Sequence, residues 1–252
     1  MEMAGGGKVK RDHEYKHLLE ELDREMNLLI YAISHDLRAP LRSIQGFSQA
    51  VIEDYGDALD ETGKDFLSRV QNAGKRLDRC IEALLHMSRE TRCDMVPEPV
   101  DLSIVAREVA AELKECYPDR KVEFTVGKNA EGVLSRVDRR LIKVALEKLL
   151  DNAWKFTLGR EHAHVEFGVV EEPDRRMYFV ADNGIGFDER YAESRLFGVF
   201  QRMHSNEAFE GQGMGLATAR RIISRHHGRI WAKSEVNKGT VVHFTLTLPD
   251  ND

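Results

Sequence analysis

The sequence predicts two domains of different class: an antiparallel helical hairpin, completed by a second copy as a dimeric four-helix bundle, followed by an α/β sandwich. Three observations predict this. Apolar residues recur at steps of three and four through roughly the first third of the chain, the period of helices that pack along one stripe. A polar stretch with Pro97 and Pro99 then interrupts that period. Beyond it, helical segments alternate with short β-like runs at hairpin-like spacing, the pattern of one sheet covered on one face by helices.

Residues 1–9 open with small residues and glycine and are expected to form a flexible lead. The hairpin is expected over residues 10–89. Leu18, Leu22, Met26, Leu29 and Ile33 begin a stripe that runs on through Leu37, Leu41, Ile44, Phe47 and Val51. Tyr55 to Asp60 carries turn formers, and Asp60 or Thr62 is placed to cap the next helix. That helix bears Phe66, Val70, Ala73, Leu77, Cys80, Leu84 and Met87, a heptad seam. Two helices that each bury one face make an incomplete core, which a second copy would complete.

Residues 90–100 read as a linker and residues 101–252 as the second domain. Val100 to Cys116 is expected to be helical, Val122 to Val126 and Val133 to Val137 strands, and Arg139 to Phe156 a helix. Two further strands, Val165 to Val170 and Met177 to Ala181, are expected to meet at a turn around Pro173 and Asp174. A glycine-rich stretch leads to a helix from Met214 to His226, and strands from Arg229 to Ser234 and Val241 to Leu248 end the chain.

Composition narrows the function. Of 252 residues, 42% are hydrophobic and 32% charged, and the net charge is −6, which offers no basic surface to nucleic acid. The longest apolar run, Leu28 to Ile33, is far short of the ~20 residues a membrane helix needs. No signal-peptide pattern precedes it, so no membrane contact is expected within this chain. Cys80, Cys93 and Cys116 stand alone without metal-type spacing. A cytoplasmic protein, or the cytoplasmic part of a longer one, is the simplest expectation.

Ser34-His35-Asp36-Leu37-Arg38-Ala39-Pro40-Leu41 lies midway along the first helical stripe. Neutral imidazole carries a free nitrogen lone pair, and a carboxylate on the other ring nitrogen fixes the tautomer and strengthens that lone pair as a nucleophile. Pro40 removes a backbone donor one turn beyond and is expected to loosen the helix.

Four pieces of the second domain point to a nucleotide. Lys148, Asn152 and Lys155 fall at i, i+4 and i+7 on one helix face. An amide oxygen suits Mg²⁺ and a lysine suits phosphate, although a solvated helix edge would look the same. Asp182-Asn183-Gly184-Ile185-Gly186 follows an apolar strand; its carboxylate can accept a base amino group and its glycines admit a close ligand, while a plain turn is the alternative. Gly211-Gln212-Gly213-Met214-Gly215 opens a helix, where unpaired N–H groups and the dipole favour phosphate. Between Asp188 and Glu210, Phe197, Phe200 and Phe209 suggest a lid, and Arg202 within it could reach a γ-phosphate. Lys238-Gly239-Thr240 adds a fourth, individually uninformative piece.

In this order, these motifs resemble the transmitter core of a sensor histidine kinase of a two-component system, over Leu28 to Leu248. The resemblance identifies residues 34–41 as the phosphoacceptor motif, 149–156 as the N box, 182–186 and 211–215 as glycine boxes, and 196–200 as the F box. It implies an ATP-binding second domain of Bergerat type, a homodimer formed through the hairpin, ATP and Mg²⁺ as cofactors, and a response-regulator receiver domain as partner. An upstream sensor domain would lie outside this chain. His35 would be the phosphoacceptor and Asp36 the group that orients it. Asn152 would bind Mg²⁺, Asp182 the adenine amino group, and Gly184, Gly186, Gly213 and Gly215 the nucleotide and lid.

Two positions depart from the family. Lys148 stands where the N box usually has asparagine, and an ammonium cannot coordinate a cation. It either meets phosphate or weakens Mg²⁺ binding, and it keeps open the alternative of a nucleotide-binding scaffold without autokinase activity. Hydrolytic relatives place a glutamate there, whereas Glu147 faces about 100° away. Ala39 stands where bifunctional relatives carry Thr or Asn to position a water, so phosphatase activity is expected to be weak.

Overall fold

The structure, a computed structural model, describes residues 6–90, 94–172, 175–189, 196–201 and 213–246. Within residues 6–90 it leaves out the side chains of 6–20, 22–24, 27, 86–87 and 89–90. The chain divides into two units, Met1–Cys93 and Asp94–Asp252.

Unit one is two helices, α1 (Gly6–Tyr55) and α2 (Glu61–Glu90). Gly6 to Val9, expected in the flexible lead, are helical; Lys8 and the Lys10–Arg11 pair are good helix formers and offset the glycines. Pro40 does not interrupt α1, which runs unbroken to Tyr55 although the Asp36 carbonyl loses its i+4 donor. Asp60 is the cap: its Oδ1 accepts the Gly63 N–H at 2.7 Å.

The helices meet along a seam that shares Leu41 with the apolar stripe read from sequence and otherwise departs from it. Ser34, Leu41 and Ser48 on α1, and Gly74, Ile81 and Ser88 on α2, are buried at steps of seven. Small residues let the backbones approach: a Cβ on Gly74 would sit 3.1 Å from the Gln45 Cγ. Gln71 Nε2 donates to Gln49 Oε1 at 2.6 Å and fixes register across the pair. The expected seam residues Phe66, Val70 and Leu77 point outward instead, as do Met26, Leu29, Ile33, Leu37, Ile44, Phe47 and Val51.

Unit two begins earlier than the sequence suggested. The segment expected as linker contains β1 (Glu98–Asp101), antiparallel to β3 (Leu134–Val137). β1 leads into α3 (Leu102–Cys116) and β3 into α4 (Arg139–Phe156). The main sheet has the order β2-β4-β5-β7-β6, formed by β2 (Val122–Val126), β4 (Ala163–Glu172), β5 (Arg175–Asp182), β7 (Gly239–Thr245) and β6 (Ile230–Glu235). Among the described strands, β2 and β4 pair in parallel and the other neighbours antiparallel. The expected turn at Pro173 and Asp174 lies outside the described residues.

One face of the sheet is apolar by alternation: Val165, Phe167 and Val169 on β4, Tyr178 and Val180 on β5, and Val242 and Phe244 on β7 are buried. They pack with Leu146, Leu149 and Leu150 of α4 and with Ile222 and Ile223 of α5 (Gly215–Arg225). Each such side chain contributes about 1.5–3 kcal/mol on leaving water. Asp138 starts α4, its Oδ1 accepting the Leu141 N–H at 3.0 Å. This core sets α4 beside α5 and against β5, whose C-terminal end leads into the Gly184 loop.

Candidate functional site

In unit one, His35 and Asp36 are exposed on α1, at 78% and 83% of their side-chain surface. His35 Nδ1 lies 3.2 Å from Asp36 Oδ1. With a carboxylate oxygen placed to accept from Nδ1–H, Nε2 is the ring nitrogen left with the lone pair. Ala39 contributes only its backbone, its carbonyl accepting from Ser43 Oγ at 3.2 Å.

In unit two, β5 delivers Asp182 to the edge of the core. Burial pushes its carboxyl up to about 6, opposed by the N–H groups of Gly184 and Thr240 and by the charge of Arg160. Its Oδ1 accepts the Gly184 N–H at 2.8 Å. The loop after it is woven into its surroundings. Ile185 N–H donates to the Phe156 carbonyl at 3.1 Å, and Asn237 N–H to the Ile185 carbonyl at 2.7 Å. A Cβ on Gly184 would overlap the Phe156 carbonyl oxygen, and one on Gly186, at φ +58°, would overlap the Glu235 carbonyl. Glycine is a steric requirement at both positions.

The N-terminus of α5 faces α4. From Gly215, a Cβ would stand 3.6 Å from Asn152 Nδ2 and 3.7 Å from the Lys148 Cβ, ordinary contact with no crowding. Met214 at the N-cap supplies no side-chain hydrogen bond, so the first-turn N–H groups keep their capacity for an anion. The donor set here is one neutral amide oxygen, with no cluster of three or more His, Cys, Asp or Glu among the described residues. That suits a Mg²⁺ held largely by phosphate oxygens and water, not a preformed protein cage.

The segment expected as a lid is described only at its ends. Phe197 packs on the core, and Phe200 N–H donates to the Gly213 carbonyl at 3.0 Å. Phe200 itself adopts φ +61°. Arg202, Phe209 and Gly211 lie outside the described residues. Lys155 is half-buried at the end of α4. The structure therefore gathers Lys148, Asn152 and Gly215 at one place, and Asp182, Gly184 and Gly186 at another along α4.

Sequence reasoning missed Arg160. Its Nη2 donates to the carbonyls of Gly184 at 2.9 Å and Asn237 at 2.6 Å. No motif marks it; only its place one turn past the N box hinted at a role. His226 was also missed: fully buried, it accepts the Asp138 N–H on Nε2 at 3.1 Å and donates from Nδ1 to the Ile222 carbonyl at 2.8 Å.

Comparison with known families decides what this arrangement is. Residues 25–92 match the His Kinase A (phospho-acceptor) domain, and residues 137–251 match the histidine kinase-, DNA gyrase B- and HSP90-like ATPase family. The chain is the transmitter core of a sensor histidine kinase. This transmitter core is 36% identical to the methanogenesis regulatory histidine kinase FilI of Methanothrix harundinacea, over 92% of this chain and 26% of that protein. It is 32% identical to cyanobacterial phytochrome B of Nostoc, over 90% of this chain and 30% of that protein. The chain thus spans under a third of these relatives. Histidine kinase ThkA, solved in complex with the response regulator TrrA, shares the fold with a TM-score of 0.60 at 21% identity, over 94% of this chain and 68% of that one.

Proposed function

We propose that this transmitter core phosphorylates its own His35 from ATP and passes the phosphoryl group to an aspartate of a response-regulator receiver domain. The observation that carries this reading is the exposed His35 with Asp36 on Nδ1, in one chain with a nucleotide site of the ATPase family.

Asp182 would accept the adenine amino group, and the open N–H groups of α5 would receive phosphate. The His35 Nε2 lone pair attacks the γ-phosphorus, the bond from that phosphorus to the bridging oxygen of ADP breaks, and ADP leaves. The Nδ1 proton stays toward Asp36, which stabilises the imidazolium character that develops. Asn152 would hold Mg²⁺, which neutralises phosphate charge when bound. Lys155, and Arg202 and Gly211 outside the described residues, belong to the same proposed nucleotide machinery. An N–P linkage is labile enough to be transferred onward to a carboxylate.

The exposed apolar rows of α1 and α2 support a homodimer, since a single hairpin leaves Phe47 75% exposed and Phe66 60% exposed. The absence of a hydroxyl or amide on Ala39 supports weak phosphatase activity toward the regulator. No described helix is long and apolar enough to cross a membrane. The paired His35 and Asp36 disfavour a scaffold without autokinase activity.

The test is incubation with Mg²⁺ and γ-labelled ATP. Acid-labile, base-stable label is expected on the wild type and none on His35→Gln. Label that persists in His35→Gln would defeat the assignment. Label moved to a receiver domain should then be released slowly; rapid release would contradict the reading of Ala39.

A further inference from the structure

Arg160 sits in the tight turn after α4, its N–H donating to the Thr157 carbonyl at 3.1 Å. From there one guanidinium nitrogen reaches two backbone carbonyls that belong to different loops: Gly184, two residues beyond Asp182, and Asn237, in the β6–β7 turn. These loops also touch directly through Asn237 N–H and the Ile185 carbonyl. Asn237 adopts φ +64° to do so. Arg160 therefore ties the turn after α4, the Gly184 loop and the β6–β7 turn together. We propose that Arg160 is a positioning residue for nucleotide recognition: it clamps the Gly184 loop against the Asn237 turn and so holds the Asp182 carboxylate where it accepts the adenine amino group. This rests on the nucleotide reading of the site.

The clamp has an electrostatic side. Asp182 is largely buried, and Arg160 is the cation whose charge opposes the effect of that burial. The other groups on Asp182 are neutral N–H donors, Gly184 from its own loop and Thr240 from β7. On the neighbouring elements, His164 of β4 is engaged with Thr125 Oγ1 at 3.0 Å and Lys238 of the β6–β7 turn with Glu235 at 2.6 Å, and Arg160 is the charged group whose effect reaches Asp182. A protonated Asp182 offers a donor where the adenine amino group needs an acceptor, so adenine affinity follows its ionisation.

The experiment is ADP binding by calorimetry on the full chain between pH 5 and 9, for wild type, Arg160→Gln, Arg160→Lys and Asp182→Asn. Wild-type affinity is expected to fall as the pH drops below about 6. Arg160→Gln should weaken binding about tenfold at pH 8 and move the midpoint upward by about one pH unit, because a nearby cation has been removed. Arg160→Lys should keep the wild-type midpoint but lose part of the affinity, since an ammonium is a point charge without the guanidinium's fork. Asp182→Asn should be flat with pH. An unchanged midpoint in Arg160→Gln would overturn the proposal even if affinity or melting temperature fell. Should that variant not fold, wild-type affinity in Arg160→Lys would overturn it instead. If the wild type binds no ADP at any pH, the nucleotide reading itself fails.

Discussion

The hairpin and the α/β unit bury their apolar residues in opposite ways. In the hairpin, Leu41, Ile81 and Leu85 form the buried cluster, and the seam between helices is lined by Ser34, Ser48, Gly74 and Ser88. The larger side chains, Phe47, Ile44 and Phe66 among them, lie outside that seam. In the α/β unit, Phe167, Tyr178, Phe244 and the leucines of α4 close on one another, and Tyr178 stacks on Phe244 with centroids 5.3 Å apart. One unit completes its own core; the other leaves its largest apolar side chains exposed. The difference teaches where a substitution will be felt: within one chain, or in its association.

Glycine substitution gives the largest expected contrast. A Cβ on Gly239, at φ +111°, would overlap the Asp182 carbonyl. Gly239→Ala should destabilise the α/β unit by roughly 2–5 kcal/mol and remove ADP binding, by strain and overpacking together. Gly46 in α1 has nothing within 4 Å of its would-be Cβ. Gly46→Ala should stabilise the hairpin by about 0.5–1 kcal/mol, the helix cost of glycine. Thermal melting with ADP calorimetry checks both, and a neutral Gly239→Ala would break the contrast.

Association is the next effect in size. Phe47→Glu replaces an exposed ring with a charge, so the single hairpin should tolerate it. A dimer would have to bury that charge, and its dissociation constant should rise by ~100-fold or more. Sedimentation at several concentrations reads the change, while the unfolding of the α/β unit should stay put. A dimer of unchanged strength would mean that the outward rows are not the interface.

Much of this was legible in the sequence, for reasons that differ between units. Helical periodicity located α1, α2 and α4 because their stripes are long, and α4 matched its expected bounds at Arg139 and Phe156. The same periodicity could not say which partner each stripe faces, so the heptad of α2 was legible while its direction was not. β1 was missed because two prolines within a polar run look like a linker, although an edge strand tolerates proline. Asp182 and Gly184 carried a recognisable spacing. Arg160 and His226 did not, because their roles arise from backbone carbonyls and N–H groups brought together only by folding.

His226 sharpens the comparison through pH. Burial holds its imidazole below the ordinary value, so it is neutral in the fold, bridging Asp138 N–H and the Ile222 carbonyl. The unfolded chain takes up the proton first as pH falls. Stability of the α/β unit should therefore be full above about 6.5 and fall below it, by up to about 1.4 kcal/mol per pH unit. Denaturant titrations from pH 7.5 to 5.5 on wild type and His226→Gln test this; equal slopes would place the sensitivity elsewhere.

The smallest expected effect concerns Lys148, where the α/β unit departs from its family. Its Cβ and the Asn152 amide both approach the first residue of α5, whose N-terminal N–H groups lack a side-chain cap. Two features that favour an anion, the Lys148 side chain and these N–H groups, meet there beside the Asn152 amide. A phosphate satisfies both, whereas a lone Mg²⁺ would meet like charge. Lys148→Asn should therefore weaken ADP binding a few-fold in EDTA and less so in Mg²⁺, because the metal takes over the neutralisation that the ammonium supplied. Tighter Mg²⁺-nucleotide binding in the variant would reverse the assignment and make Lys148 a brake on metal binding.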